Sequence, residues 1–279
     1  MTAHARLRIS LLICAAAWFG LLGCSRSNGA KSNITSASKN SGGSKDESSR
    51  VSNDPSFVPF EEAVRFDPPD GENRPPDTTV NGKVTGKLFE QIAGKDGKGG
   101  LWEQVSFVSA QGKPLKYFAL VKTDAGDMKI ELFHQAAPNH VRSFICLARA
   151  GYFDGLPFHQ SIRRDDFRYL ESGCPKGTGE IGYGSIGYWL KPEISPTLKH
   201  EEGTVGAWHA EELERAACRF FITLAKTESY DGNYSIFGKV VHGLDVAHTI
   251  NKRPVQDEQY KGPPQEPYRI RQVLIEQIE

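Results

Sequence analysis

From Trp102 to the C-terminus, apolar and polar positions follow each other in short, regular runs. VSFVSAQGKPLKYFALVKTDAGDMKIELF holds three β-favouring runs separated by AQGKP and DAGD, both rich in turn formers, and this predicts an antiparallel meander. The period then changes. In APNHVRSFICLARAGYFDG, Val141, Phe144, Ile145 and Ala148 recur at helical spacing, with Asn139 as the expected cap and Gly151 as the stop. Short strands are predicted at Phe158–Ile162, Tyr169–Glu171, Gly203–Trp208, Phe220–Leu224 and Ile236–Val241. GLDVAHTINKRP supplies a second helix through Leu244, Ala247, His248 and Asn251, stopped by Pro254, and YRIRQVLIEQI closes the chain as a strand. The pattern is mainly β, a barrel or strongly curled sheet with a helix over each open end.

Ahead of Trp102 the pattern is irregular. Arg6 and Arg8 precede the apolar run Ile9–Leu22, which is too short and too rich in small residues for a membrane span and reads as an export leader, residues 1–23. It ends in Leu21-Leu22-Gly23-Cys24, similar to the cleavage box of bacterial lipoproteins, which implies lipidation at Cys24. Residues 24–56 are Ser, Asn, Gly and Lys with almost nothing apolar, so they cannot offset the entropy of ordering and read as a tether. Residues 57–114 carry Pro68, Pro69, Pro75 and Pro76 and a short helical stretch at Lys87–Ile92. They read as a proline-rich arm packed on a main domain of residues 115–279.

Composition removes several function classes. Lys plus Arg equals Asp plus Glu at 34 each, so the chain has no net charge with which to attract nucleic acid. The eight histidines show no ligand spacing, and neither a metal site nor any other cofactor is expected. GTGEIGYGSIGYW lacks the GKS/T ending of a phosphate loop and reads as a flexible loop, and AEELERAA reads as a solvated rim. Outside the leader and Cys24 there remain Cys146, Cys174 and Cys218. Cys146 falls on the inner face of the first helix, and a bridge between Cys174 and Cys218 stays open because sequence gives no separation.

The order APNHVRSFICLARAGYFDG, FHQSI, GCPKGTG, LKHEEGTVGAW, RFFITLAKTESYDGNYSIFGKVVHGLDV and a closing strand resembles the cyclophilin family of peptidyl-prolyl cis-trans isomerases over residues 115–279. The resemblance implies a closed eight-stranded antiparallel β-barrel capped by two helices. It implies as partners proline-containing peptides and exported proteins, and a reaction that needs no nucleophile. Rotation about an X-Pro bond crosses a barrier of about 18–20 kcal/mol because the amide loses its double-bond character. A groove accelerates it by gripping the ring and favouring the twisted state, with a donor aimed at the prolyl nitrogen.

The family's donor is an arginine, and here that position is Gln160, which keeps an N–H but not the charge or the rigid fork. Two family glutamines fall on Glu171 and Arg219. Arg219 therefore either supplies the missing cation or is occupied by Glu171, the latter being the favoured arrangement for opposite charges on neighbouring strands. The resemblance places Phe221 and Tyr169 on the apolar floor, with Phe167 or Arg168 just before it. It puts Trp208 at a usually small position, His209 at a usual asparagine, and Ser229 at a usual tryptophan, followed by Tyr230; Tyr234 replaces a histidine. His159 is structural on this reading. The leading expectation is an isomerase of reduced activity in the bacterial cell envelope, held to a membrane by its lipid. The alternatives are a non-catalytic proline-peptide binding module and a structural scaffold on the same fold.

Overall fold

The computed structural model describes residues 53–66, 74–164, 167–180, 185–209, 216–255 and 264–279. The leader, Cys24, the tether as far as Ser52 and the acidic stretch Glu211–Glu214 lie outside the described residues. Among the described residues no helix is long and apolar enough to cross a membrane.

The main sheet begins with β4 (Lys116–Thr123) and β5 (Gly126–Leu132), two of the three predicted runs. Alternate residues point inward, Tyr117, Ala119 and Val121 on one strand and Met128, Ile130 and Leu132 on the other. The first run, Val105–Val108, joins no ladder. The Phe107 N–H donates to the Asp54 carboxylate at 2.8 Å instead of to a neighbouring strand, and the Phe107 ring stacks on His134. After the helix α3 (Pro138–Arg149) come β6 (Gln160–Arg163), β7 (Arg168–Ser172), β9 (Thr204–Ala207), β10 (Phe220–Thr223) and β11 (Ile236–His242). Helix α4 (Leu244–Asn251) and strand β12 (Ile270–Ile278) end the chain, and all pairings in the eight-stranded sheet are antiparallel, in the order β12-β4-β5-β11-β9-β10-β7-β6.

The expected closed barrel is corrected here: the sheet is open between β6 and β12. An isolated bridge joins Pro157 and Arg269, flanked by three backbone bonds, Gly155 N–H to Ile270 O (2.6 Å), Ile270 N–H to Leu156 O (2.9 Å) and Phe158 N–H to Tyr268 O (2.9 Å). Among the described residues no strand pairs with either edge beyond this contact.

The N-terminal arm forms a second layer. It contains α1 (Phe60–Ala63), β1 (Val64–Phe66), α2 (Thr85–Ala93), the small hairpin β2–β3 (Gly94–Lys95 and Lys98–Gly99) and a 3-10 turn at Leu101–Gln104. β1 pairs with β8 (Tyr188–Leu190), a strand inside the segment read as a loop. Phe60 meets Phe89, Trp102 and Tyr188 edge-on, and the Trp102 indole N–H donates to the Val58 oxygen at 2.9 Å. Helix α3 is therefore covered on both sides, and every residue from His140 to Ala148 is buried, where a surface helix would bury one stripe.

Two local expectations change. Asn139 is not the cap of α3; Ala137 is, without a side-chain bond, and the distant Glu193 carboxylate accepts the N–H groups of Asn139 (3.0 Å) and His140 (2.9 Å). Residues 53–56, at the end of the segment read as tether, are folded. Asp54 is buried, accepting from Ser56 and Phe107 and pairing with Arg142 at 3.2 Å.

Candidate active site

Side chains of β6, β7 and β10 alternate between the core and an outer groove. Leu170, Ile222 and Val205 face inward and are buried in the hydrophobic core. The neighbouring positions form a row across the sheet, Gln160 opposite Glu171, Glu171 opposite Phe221, and Phe221 opposite Gly206. Gly206 is required there, because a Cβ would sit 2.3 Å from the Phe221 ring. The far end of the ring thus occupies the space that the glycine leaves.

Around Phe221 the chain builds an aromatic bed. Tyr169 stands 6.1 Å away edge-on, Tyr230 and Tyr234 each 5.4 Å, and the His200 ring stacks at 5.8 Å. Tyr230 and Tyr234 are 4.3 Å apart, and Tyr234 stacks on His209 at 4.2 Å. Of the two residues left open before Tyr169, Phe167 supplies the ring, 5.3 Å from Tyr169 and 5.2 Å from Tyr230, while Arg168 pairs with Arg163. Sequence reasoning did not single out His200. It is fixed by Asp231, whose carboxylate accepts the His200 backbone N–H at 2.8 Å and faces Nδ1 at 3.0 Å. The signal was the histidine of LKHEEG and the aspartate of SYDG, residues far apart in the chain that meet only in the fold.

Burial sets the protonation of this bed. It pushes the Tyr169, Tyr230 and Tyr234 phenols above the ordinary tyrosine value, with Glu171 adding to the effect for all three. Burial also lowers His200, although Asp231 pulls the other way. The phenols are therefore neutral at pH 7.

Arg219 does not face the groove as a loose cation. Its Nε donates to Glu171 Oε1 at 2.5 Å, Nη2 pairs with the same oxygen, and Nη1 donates to the Glu180 carbonyl at 3.2 Å. The Trp208 ring covers its face, with Cζ 3.2 Å from the ring centre. His159 Nε2 reaches Glu171 Oε1 at 3.1 Å and is buried, so it helps hold the carboxylate. The structure thus brings Gln160, Glu171, Arg219 and Trp208 into one cluster and Tyr169, Tyr230, Tyr234 and His209 into another, and Phe221 joins the two.

Among the described residues no cluster of three or more His, Cys, Asp or Glu could hold a metal ion. Cys146, Cys174 and Cys218 are buried thiols, and burial pushes Cys146 up to about 12, which makes it inert at neutral pH.

An antiparallel sheet that offers an aromatic floor beside an amide donor can hold a proline ring and bias its amide, and that is the chemistry of one known class. Residues 118–275 match the sequence profile of the cyclophilin type peptidyl-prolyl cis-trans isomerases, more than half of the chain, and the chain belongs to that family. Peptidyl-prolyl cis-trans isomerase-like 3 of Rhizopus delemar is 34% identical over 156 residues, covering 55% of this chain and 91% of the relative. Peptidyl-prolyl cis-trans isomerase CYP18-1 of Arabidopsis thaliana is 35% identical over 130 residues, covering 47% and 79%. The crystal structure of a cyclophilin type isomerase of Cryptosporidium parvum superposes with a TM-score of 0.51 at 28% identity, covering 58% of this chain and 98% of that one. A second structure of that enzyme, in the presence of the dipeptide Ala-Pro, gives the same TM-score. The profile match begins at residue 118, past the arm.

Proposed function

We propose that this isomerase turns X-Pro bonds of exported proteins from a lipid-anchored position in a bacterial cell envelope, at a lower rate than an arginine-bearing groove would give. The observation that carries the rate is the pairing of Gln160 with Glu171 and Phe221 in one row, while Arg219 is tied to Glu171. A neutral amide stabilises the twisted prolyl nitrogen less than a guanidinium, since charge-assisted hydrogen bonds are roughly twice as strong. The aromatic bed grips the ring, and the uncatalysed turn takes tens to hundreds of seconds, so a modest donor still produces a measurable gain.

The test is the cis-to-trans rate of a short Ala-Pro peptide with the full chain and with Gln160→Arg. Acceleration by the wild type, exceeded by the variant, supports the reading. Peptide binding without acceleration by either protein overturns it in favour of a binding module, which the covered state of Arg219 favours. Export and anchoring rest on the basic start, the apolar run and Leu21–Cys24. Incorporation of labelled palmitate that disappears in Cys24→Ser supports them, and an unlabelled wild type overturns them.

A further inference from the structure

The groove holds a guanidinium that is covered. Arg219 has no exposed side-chain surface, whereas Trp208, lying over its face, is partly exposed. Glu171 grips the guanidinium edge from the middle of β7, a strand paired on both sides. Trp208 stands just past the end of β9; its N–H donates to the Arg219 carbonyl at 3.1 Å, and among the described contacts its indole is held by stacking on the Arg219 guanidinium. Its indole is therefore the part of the enclosure that can move at least cost. Glu171 also has unused capacity. All its partners crowd Oε1, and Oε2 is buried with no hydrogen-bond partner among the described residues.

The geometry points to Trp208 as a positioning residue that restrains the isomerase by pressing Arg219 onto Glu171 and away from the substrate amide. This deepens the preceding reading of the groove and rests on it. Arg219 immediately precedes β10, and its bond to Glu171, the residue opposite Phe221, places the guanidinium beside the floor where the proline ring sits. With the indole gone, water and substrate reach the guanidinium face, and its N–H groups can turn toward a carbonyl or nitrogen in the groove. The cation–π contact that held it is lost at the same time.

The experiment compares kcat/KM for an Ala-Pro peptide across full-length wild type, Trp208→Ala, Trp208→Phe, the double variant Trp208→Ala/Arg219→Gln, and Gln160→Arg. Trp208→Ala is expected to raise kcat/KM at least fivefold, chiefly through kcat. Trp208→Phe, which keeps a ring over the guanidinium, should gain less, and the double variant should lose the gain. No gain in Trp208→Ala, or a gain that survives in the double variant, overturns the inference while an active Gln160→Arg leaves the isomerase reading standing. If no protein in the series accelerates the peptide, the isomerase reading itself fails. Far-ultraviolet circular dichroism checks folding, and Trp208→Leu replaces the alanine variant if that one does not fold.

Discussion

Arg142 and Arg219 are both buried, each against one carboxylate and beneath aromatic rings, yet their surroundings differ in completeness. Around Arg142 the arm and α3 fill both oxygens of the carboxylate, while Nη1 of Arg142 is buried without a hydrogen-bond partner among the described residues. Phe57, Trp102 and Phe107 cover the guanidinium, and both Asp54 oxygens are used, Oδ1 by Ser56 and Oδ2 by Phe107 and Arg142. Burial lowers Arg142 below the ordinary arginine range while Asp54 opposes the shift, as for a cation committed to a structural pair. Around Arg219 the carboxylate keeps an unpartnered oxygen and the cover is a partly exposed indole. A buried pair whose acceptors are filled locks two layers together; one with a spare acceptor at a groove retains a second arrangement.

The largest expected effect breaks the first member of this comparison. Arg142→Ala leaves Asp54 buried and unpaired and should cost about 3–5 kcal/mol in urea unfolding. The folded fraction should keep its kcat/KM, because the arm contributes no side chain to the groove row; a parallel loss of activity would show that the two arginines are coupled. Gly206→Ala sharpens the second member. It drives a methyl into the Phe221 ring, and overpacking of this kind costs about 1–3 kcal/mol, with weaker Ala-Pro peptide binding in a titration.

Gln160→Arg comes next. Its new side chain lies opposite Glu171, whose spare oxygen can orient it, and kcat/KM should rise about tenfold, equivalent to about 1.4 kcal/mol. An unchanged rate would mean that the groove floor, not the donor, limits turnover. The smallest effect concerns Glu193 at the start of α3, the helix that carries Arg142. Burial works to raise its pKa, but the hydrogen bonds from His140 and the two backbone N–H groups outweigh it and hold the carboxylate below the usual glutamate value. A lowered folded-state pKa gives stability that is present above the unfolded value, about 4.3, and is lost as pH falls through the folded one. Glu193→Gln should therefore cost roughly 0.5–2 kcal/mol at pH 7, and its unfolding free energy should fall less than that of the wild type on acidification below about pH 4.5.

Much of the sheet was legible because β-strands of a half-buried sheet announce themselves by alternation. Phe220–Leu224 was read and Phe220–Thr223 observed, and the second helix was read from the same residues that form Leu244–Asn251. The run Val105–Val108 misled because it is as apolar as a strand, while its backbone donor was taken by Asp54, a residue in a stretch with almost no apolar neighbours. β8 escaped notice because its glycine-rich flank hides a strand whose partners, β1 of the arm and Ala216, are distant in the chain.

By itself the sequence determined the order of most elements and the mainly β character, because side-chain type and period are local properties. Tertiary structure alone decided that the sheet stays open, that Glu193 rather than Asn139 satisfies the start of α3, and that Arg219 is enclosed by Glu171 and Trp208. Each of these depends on which distant groups come within a few ångströms. A charge or an unpaired N–H is satisfied by whichever partner the packing brings to it, and that partner is not written near it in the chain.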